Sequence, residues 1–153
     1  MTDFMQEAFT EAQKGISAGD GGPFGAVIVK EGKIISRGHN EVVKSNDPTA
    51  HAEMIAIRNA SEKLRSFNLE GCILYVTGEP CPMCFSAIHW AHIDEVYYCN
   101  TKEDAAKIGF DDAFITEIIE GKRKDPVSFV HLPDESCKQL FLQWYEDPDK
   151  VPY

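Results

Sequence analysis

Phe4, Ala8, Phe9, Ala12 and Ile16 recur three and four residues apart, the spacing that lines one face of a helix. Gly15 and the glycine-rich run from Gly19 to Gly22 predict its end. The pattern then changes: Phe24-Gly25-Ala26-Val27-Ile28-Val29 is a short apolar run rich in branched side chains, which fits a strand. Lys30 to Lys33 reads as a turn and Ile34 to His39 as the returning strand of a hairpin. A polar loop is expected from Asn40 to Pro48. Ala50 to Leu64 predicts a helix whose first half carries Ala52, Met54, Ile55, Ala56, Ile57 and Ala60 around much of its circumference, so it should be well buried.

Cys72 to Val76 predicts a third strand, Pro82 to about Ala91 a helix, and Val96 to Cys99 a fourth strand. Strand–helix–strand alternation implies parallel pairing with helices packed on the sheet faces. Beyond Gly109, Ala113 to Glu120 looks helical and Gly121 stops it. Val127 to Val130 reads as a short strand. Ser136 and Gln139 have capping-box spacing ahead of a last helix carrying Leu140, Phe141, Trp144 and Tyr145. No repeat or linker divides the 153 residues, so one α/β domain is expected.

Composition narrows the partners. Fifteen Lys and Arg against 25 Asp and Glu leave a formal charge of −10, which disfavours nucleic acid because affinity for phosphate backbones comes mainly from basic side chains. No apolar run approaches the ~18 residues of a membrane span. Met1 to Asp20 carries Asp3, Glu7 and Glu11 and no hydrophobic block, so it does not read as a secretory signal. Five cysteines, an odd number, point to metal or redox chemistry in a reducing cytoplasm more than to a disulfide framework.

Two segments carry that chemistry: Pro48-Thr49-Ala50-His51-Ala52-Glu53 and Glu79-Pro80-Cys81-Pro82-Met83-Cys84, each opening a predicted helix. Cys81 and Cys84, three apart at a helix start, can turn both sulfurs toward one point, and Pro82 suits the first helical position. The positive end of the helix dipole favours thiolate there. Two thiolates and the His51 imidazole suit tetrahedral zinc, with one position left open for water. Zn²⁺ with these ligands is net neutral and acidifies its water weakly, so a neighbouring base helps, and Glu53 lies two residues from His51. Cys-x-x-Cys alone could equally be redox-active or merely buried. His-x-Glu joined with Pro-Cys-x-x-Cys is the described signature of zinc deaminases, with the Glu as general acid/base outside the zinc shell.

The sequence therefore resembles the cytidine deaminase superfamily, and within it the small bacterial guanine deaminases. The likeness rests on Gly21-Gly-Pro-Phe-Gly-Ala-Val-Ile-Val29, Ser45-Asn-Asp-Pro-Thr-Ala-His-Ala-Glu53, Glu79-Pro-Cys-Pro-Met-Cys84 with Ala87-Ile88 and Trp90-Ala91, and Gly109-Phe-Asp-Asp112 with Phe114-Ile115. It implies one zinc on His51, Cys81 and Cys84, with Glu53 as proton shuttle and Asp112 as a second acid/base. It implies substrate contacts from Phe24, Asn40, Ala52, Trp90 and Tyr153. It implies a three-layer α/β/α fold with a mixed five-stranded sheet, spanning 1–153 as one domain, and a homodimer whose segment from about 135 to 153 exchanges onto the partner. The activity implied is hydrolytic deamination of guanine, a small purine base, to xanthine and ammonia.

The residues alone leave blander readings open. Phe24 and Trp90 suit a core as well as a pocket, Asn40 suits a turn, and Asp111 or Asp112 suits a helix cap. Cys72, Cys99 and Cys137 read as buried small side chains. His39, His89, His92 and His131 lack ligand spacing and read as structural, and Glu79 as a support. Guanosine, cytosine and triazines such as ammeline are rival substrates inside the superfamily. A tRNA adenosine deaminase shares the motif but needs a basic surface, and a non-enzymatic zinc module needs a fourth ligand or an idle Glu53.

Overall fold

The computed structural model describes residues 3–153. Elements follow in the order α1 (Asp3–Ala18), β1 (Gly25–Lys30), β2 (Lys33–His39), α2 (Val42–Ser45), α3 (Ala52–Leu64), β3 (Cys72–Gly78), α4 (Pro82–Trp90), β4 (Glu95–Asn100), α5 (Lys102–Lys107), α6 (Ala113–Ile119) and α7 (Glu135–Glu146). The sheet order is β2-β1-β3-β4. Strand β1 runs antiparallel to both β2 and β3, and only β3 and β4 pair in parallel.

Strand periodicity separates the two cores. On β1, Ala26 and Ile28 face one side with Leu74 and Val76 of β3, packed beneath Ala52, Ala56 and Ala60 of α3 and Ile88 of α4. Val27 and Val29 face the other side against Met5 and Ala8 of α1. This central strand is buried on both faces, which explains its unbroken apolar run. Gly38 on β2 lets α3 lie against the sheet, because a Cβ there would stand 2.7 Å from the Ala52 carbonyl oxygen. The stripe that α1 buries is Met5, Ala8 and Ala12, while Phe9 and Ile16 are exposed.

The three-layer α/β/α arrangement matches expectation, but among the described residues the mixed sheet has four strands, not five. Val127 to Val130 forms no strand: the Val127 N–H closes a turn onto Asp125 Oδ1 at 2.8 Å, and Phe129 is 85% exposed. Val127 and Val130 are also exposed, at 60% and 71%, so strand propensity finds no sheet to join. Four further expectations are corrected. Helix α2 interrupts the expected 40–48 loop and α5 was not foreseen; the latter is held by a Thr101–Asp104 capping box. The cap of α7 is Asp134, which accepts from the Ser136 N–H, rather than Ser136 itself. Cys72 is buried as expected, but Cys99 and Cys137 are exposed.

Candidate metal centre and cavity

Helices α3 and α4 both start at the same end of the sheet, and their first residues make the site. His51 and Cys81 are the two N-caps, each with extended backbone (φ −70° and −67°) and no side-chain capping bond. An N-cap side chain normally folds back onto the helix N–H groups; here both are released toward each other. Pro82 occupies the first turn of α4, where its missing N–H costs nothing. His51 Nδ1 lies 3.5 Å from Cys81 Sγ and 3.5 Å from Cys84 Sγ, and the three ligand atoms lie within 4.8 Å of one another. A tetrahedral zinc with nitrogen at about 2.05 Å and sulfur at about 2.3 Å places its N···S pairs about 3.6 Å apart. The donor set therefore fits zinc in both chemistry and spacing.

The electrostatics suit a cation. Hydrogen bonding from Cys84 and then from His51 lowers the Cys81 thiol to about 4, while donating to Cys81 and burial push Cys84 up. His51 is raised by its bond to Cys81. The site is thus an electron-rich pair of sulfurs sharing a proton that a dication can displace.

Glu53, only 6% exposed, lies in the first turn of α3 and lines the same cavity as His51 and Cys81. Burial raises its pKa, so the carboxyl is readier to hold a proton than a free one. The cavity is about 460 Å³ and is also lined by Phe24, Asn40, Phe110, Asp112 and Phe114. Phe24 meets Phe110 edge-on, with ring centroids 5.0 Å apart. Asn40 is buried, its Oδ1 accepting the Val42 N–H at 3.1 Å. The two aspartates before α6 divide their work: Asp111 Oδ1 accepts the Ala113 N–H at 3.0 Å, whereas Asp112 makes no capping bond and its pKa is raised by burial. Glu79 Oε2 accepts the Lys102 N–H at 3.1 Å and ties α5 to the Cys81 segment, the supporting role expected of it.

Cys84 is fully buried behind the cavity, and Ala52 lies fully buried in the first turn of α3 without lining it. Trp90 and Tyr153 do not line it either. They are 67% and 76% exposed, with ring centroids 6.2 Å apart, and Tyr153 also stands 6.2 Å from Phe67. Sequence reasoning missed Val42, Val43, Pro48 and Phe110 as cavity walls. Phe110 and Phe114 flank the Asp pair at helical spacing, a signal that could have flagged them. Among the described residues no helix is long and apolar enough to cross a membrane.

Residues 1–100 match the family described as the cytidine and deoxycytidylate deaminase zinc-binding region. The chain is 55% identical to the guanine deaminase of Bacillus subtilis (strain 168) over 151 residues, covering 98% of this chain and 97% of that one. The X-ray structure of a Bacillus subtilis guanine deaminase superposes with a TM-score of 0.94 at 45% identity, covering 100% of this chain and 99% of the other. A tRNA-specific adenosine deaminase of Aquifex aeolicus is 50% identical over 95 residues, 62% of each chain.

Proposed function

The chain belongs to the cytidine and deoxycytidylate deaminase family, and from that membership we propose that it deaminates guanine hydrolytically, giving xanthine and ammonia. The extent of the likeness carries this reading. It runs along 98% of the chain for a guanine deaminase, but along only 62% for a tRNA-specific adenosine deaminase. The net charge of −10 weighs the same way, since tRNA is bound through basic side chains.

His51, Cys81 and Cys84 would hold the zinc, which would supply Lewis acidity that eases deprotonation of the attacking water. Glu53 carries the protons. Its carboxylate takes one from the attacking water and delivers it to the ring nitrogen beside the amino-bearing carbon. A C–O bond forms at that carbon. Glu53 or Asp112 then takes the proton of the new hydroxyl and hands it to the amine, and the C–N bond breaks as the carbonyl forms, releasing ammonia. Both acids are raised by burial, which suits groups that must gain and give protons near neutral pH. Phe24 offers a ring for stacking on a planar base. With Asn40 Oδ1 engaged by Val42, the Nδ2 donors are left for acceptors on the base edge.

The assembly belongs to the same reading: a homodimer in which the segment from about 135 to 153 packs on the partner. Helix α7 buries none of its residues, and Phe129, Leu132 and Phe141 are at least 78% exposed, an apolar surface that a second copy of the chain can cover. Tyr153, 76% exposed at the end of this segment, would then close the partner's site. Five free cysteines fit a reducing compartment such as the cytoplasm.

The test is to incubate zinc-loaded protein with guanine, guanosine, cytosine, ammeline and tRNA and to follow ammonia and products. Guanine should be consumed fastest. Turnover of tRNA or guanosine with guanine untouched would contradict the assignment.

A further inference from the structure

Three segments build the cavity wall around Asn40: the loop from Asp20 to Phe24, the end of β2, and α2. They converge at His39, a residue with no part in the chemistry above. The imidazole Nε2 lies 2.7 Å from Asp20 Oδ2 and 3.7 Å from Glu41 Oε1, and Nδ1 lies 3.8 Å from Glu11 Oε2. The Asp20 carbonyl accepts the N–H groups of Val43 and Lys44 at 3.0 and 2.9 Å, fixing α2 to the same loop. Across the strand end, the Asn40 N–H donates to the Phe24 carbonyl at 3.0 Å. Gly21 lies so close to Asn40 that a Cβ on it would stand 2.1 Å from Oδ1. The amide of Asn40 therefore keeps its orientation only while Gly21 and α2 stay where Asp20 holds them.

A solvated charge cluster would leave these groups open to water. Instead the side chains of Glu11, Asp20 and His39 are only 8%, 13% and 17% exposed, so the bond is not weakened by competing solvent. Asp20, His39 and Glu41 are near enough to hold a cation, but the Lys44 ammonium already stands 3.6 and 3.2 Å from the two carboxylates and opposes one.

We propose that the His39–Asp20 pair is a latch that positions Asn40 for the base, making His39 a determinant of guanine affinity that never touches guanine. The proposal rests on the reading of Asn40 as a base contact. A double-mutant cycle tests it: His39→Leu, Asn40→Ala and the pair, with His39→Gln as the conservative variant, each assayed for KM and kcat with guanine, zinc content and melting temperature. His39→Leu should raise KM about tenfold with kcat changed by less than about threefold. On the Asn40→Ala background the same change should add less than about twofold, because the group it positions is gone. His39→Gln keeps an amide within reach of Asp20 and should restore most of the affinity. An unchanged KM in His39→Leu, or an effect that multiplies in full with Asn40→Ala, overturns the latch and leaves the Asn40 contact standing. Wild-type KM in Asn40→Ala itself removes the contact and the latch with it. If His39→Leu does not fold, Asp20→Ala replaces it in the cycle with the same expected and overturning results.

Discussion

Helices α3 and α7 have 13 and 12 residues and both carry apolar side chains at helical spacing, yet they end in opposite environments. Helix α3 lies under the sheet with Ala52, Glu53, Ala56 and Ala60 buried. Helix α7 buries none of its residues, though Leu140, Phe141, Trp144 and Tyr145 are far larger than the alanines of α3. Small side chains let α3 approach the strands closely, and the carboxyl of Glu53 in its first turn is buried and its pKa raised by that burial. Large ones on α7 stay exposed as an apolar surface. Covering three of them would contribute on the order of 5 kcal/mol, the energy the proposed homodimer would draw on.

Matched damage to the two regions sharpens the contrast. At the metal end, Cys84→Ala should abolish zinc binding and all measurable ammonia release from guanine, as metal analysis and assay will show; full zinc content would remove Cys84 from the ligand set. A charge placed in each helix comes next. Ala56→Asp buries an unpaired carboxylate and should cost at least about 3 kcal/mol in urea unfolding. Phe141→Asp should leave the α/β core folded while sedimentation shows a shift from dimer to monomer. If the two variants unfold alike, the distinction between the helices is wrong. Removing Pro152 and Tyr153 is gentler still: guanine turnover should fall while the melting temperature stays nearly constant, and an unchanged rate would end the role given to the tail.

The smallest effect concerns pH. The hydrogen bond from His39 holds the Asp20 carboxyl below its ordinary value of 3.8. A depressed acid stabilises the fold above that value, and the contribution disappears as pH falls through the lower folded-state value. The stability gap between wild type and Asp20→Asn should therefore narrow as pH falls below about 4. A gap that widens on acidification would contradict the pairing.

What could be read in advance follows the same division. The hairpin, the buried helix and the His51, Glu53, Cys81 and Cys84 set were legible because each depends on residues a few positions apart: an unbroken apolar run on β1, a proline at the start of α4, a cysteine pair one turn apart. Helix α5 was legible too, in Thr101 and Asp104, but its cap lies beside no apolar stripe and was passed over. Val127 to Val130 misled because branched residues favour strands only where a sheet edge receives them. Cys99 and Cys137 misled because their burial depends on packing that no local pattern records. His39 was set aside for lacking ligand spacing, whereas its contacts run to residues 2, 19 and 28 positions away.

Glu53→Gln addresses the central claim most directly, because it keeps the shape of the side chain and removes only its capacity to move a proton. Zinc content and ammonia release from guanine should be measured on the same purified sample. The account predicts one zinc per chain and turnover reduced by about 10³-fold. A fully metallated variant that deaminates guanine at the wild-type rate would contradict it.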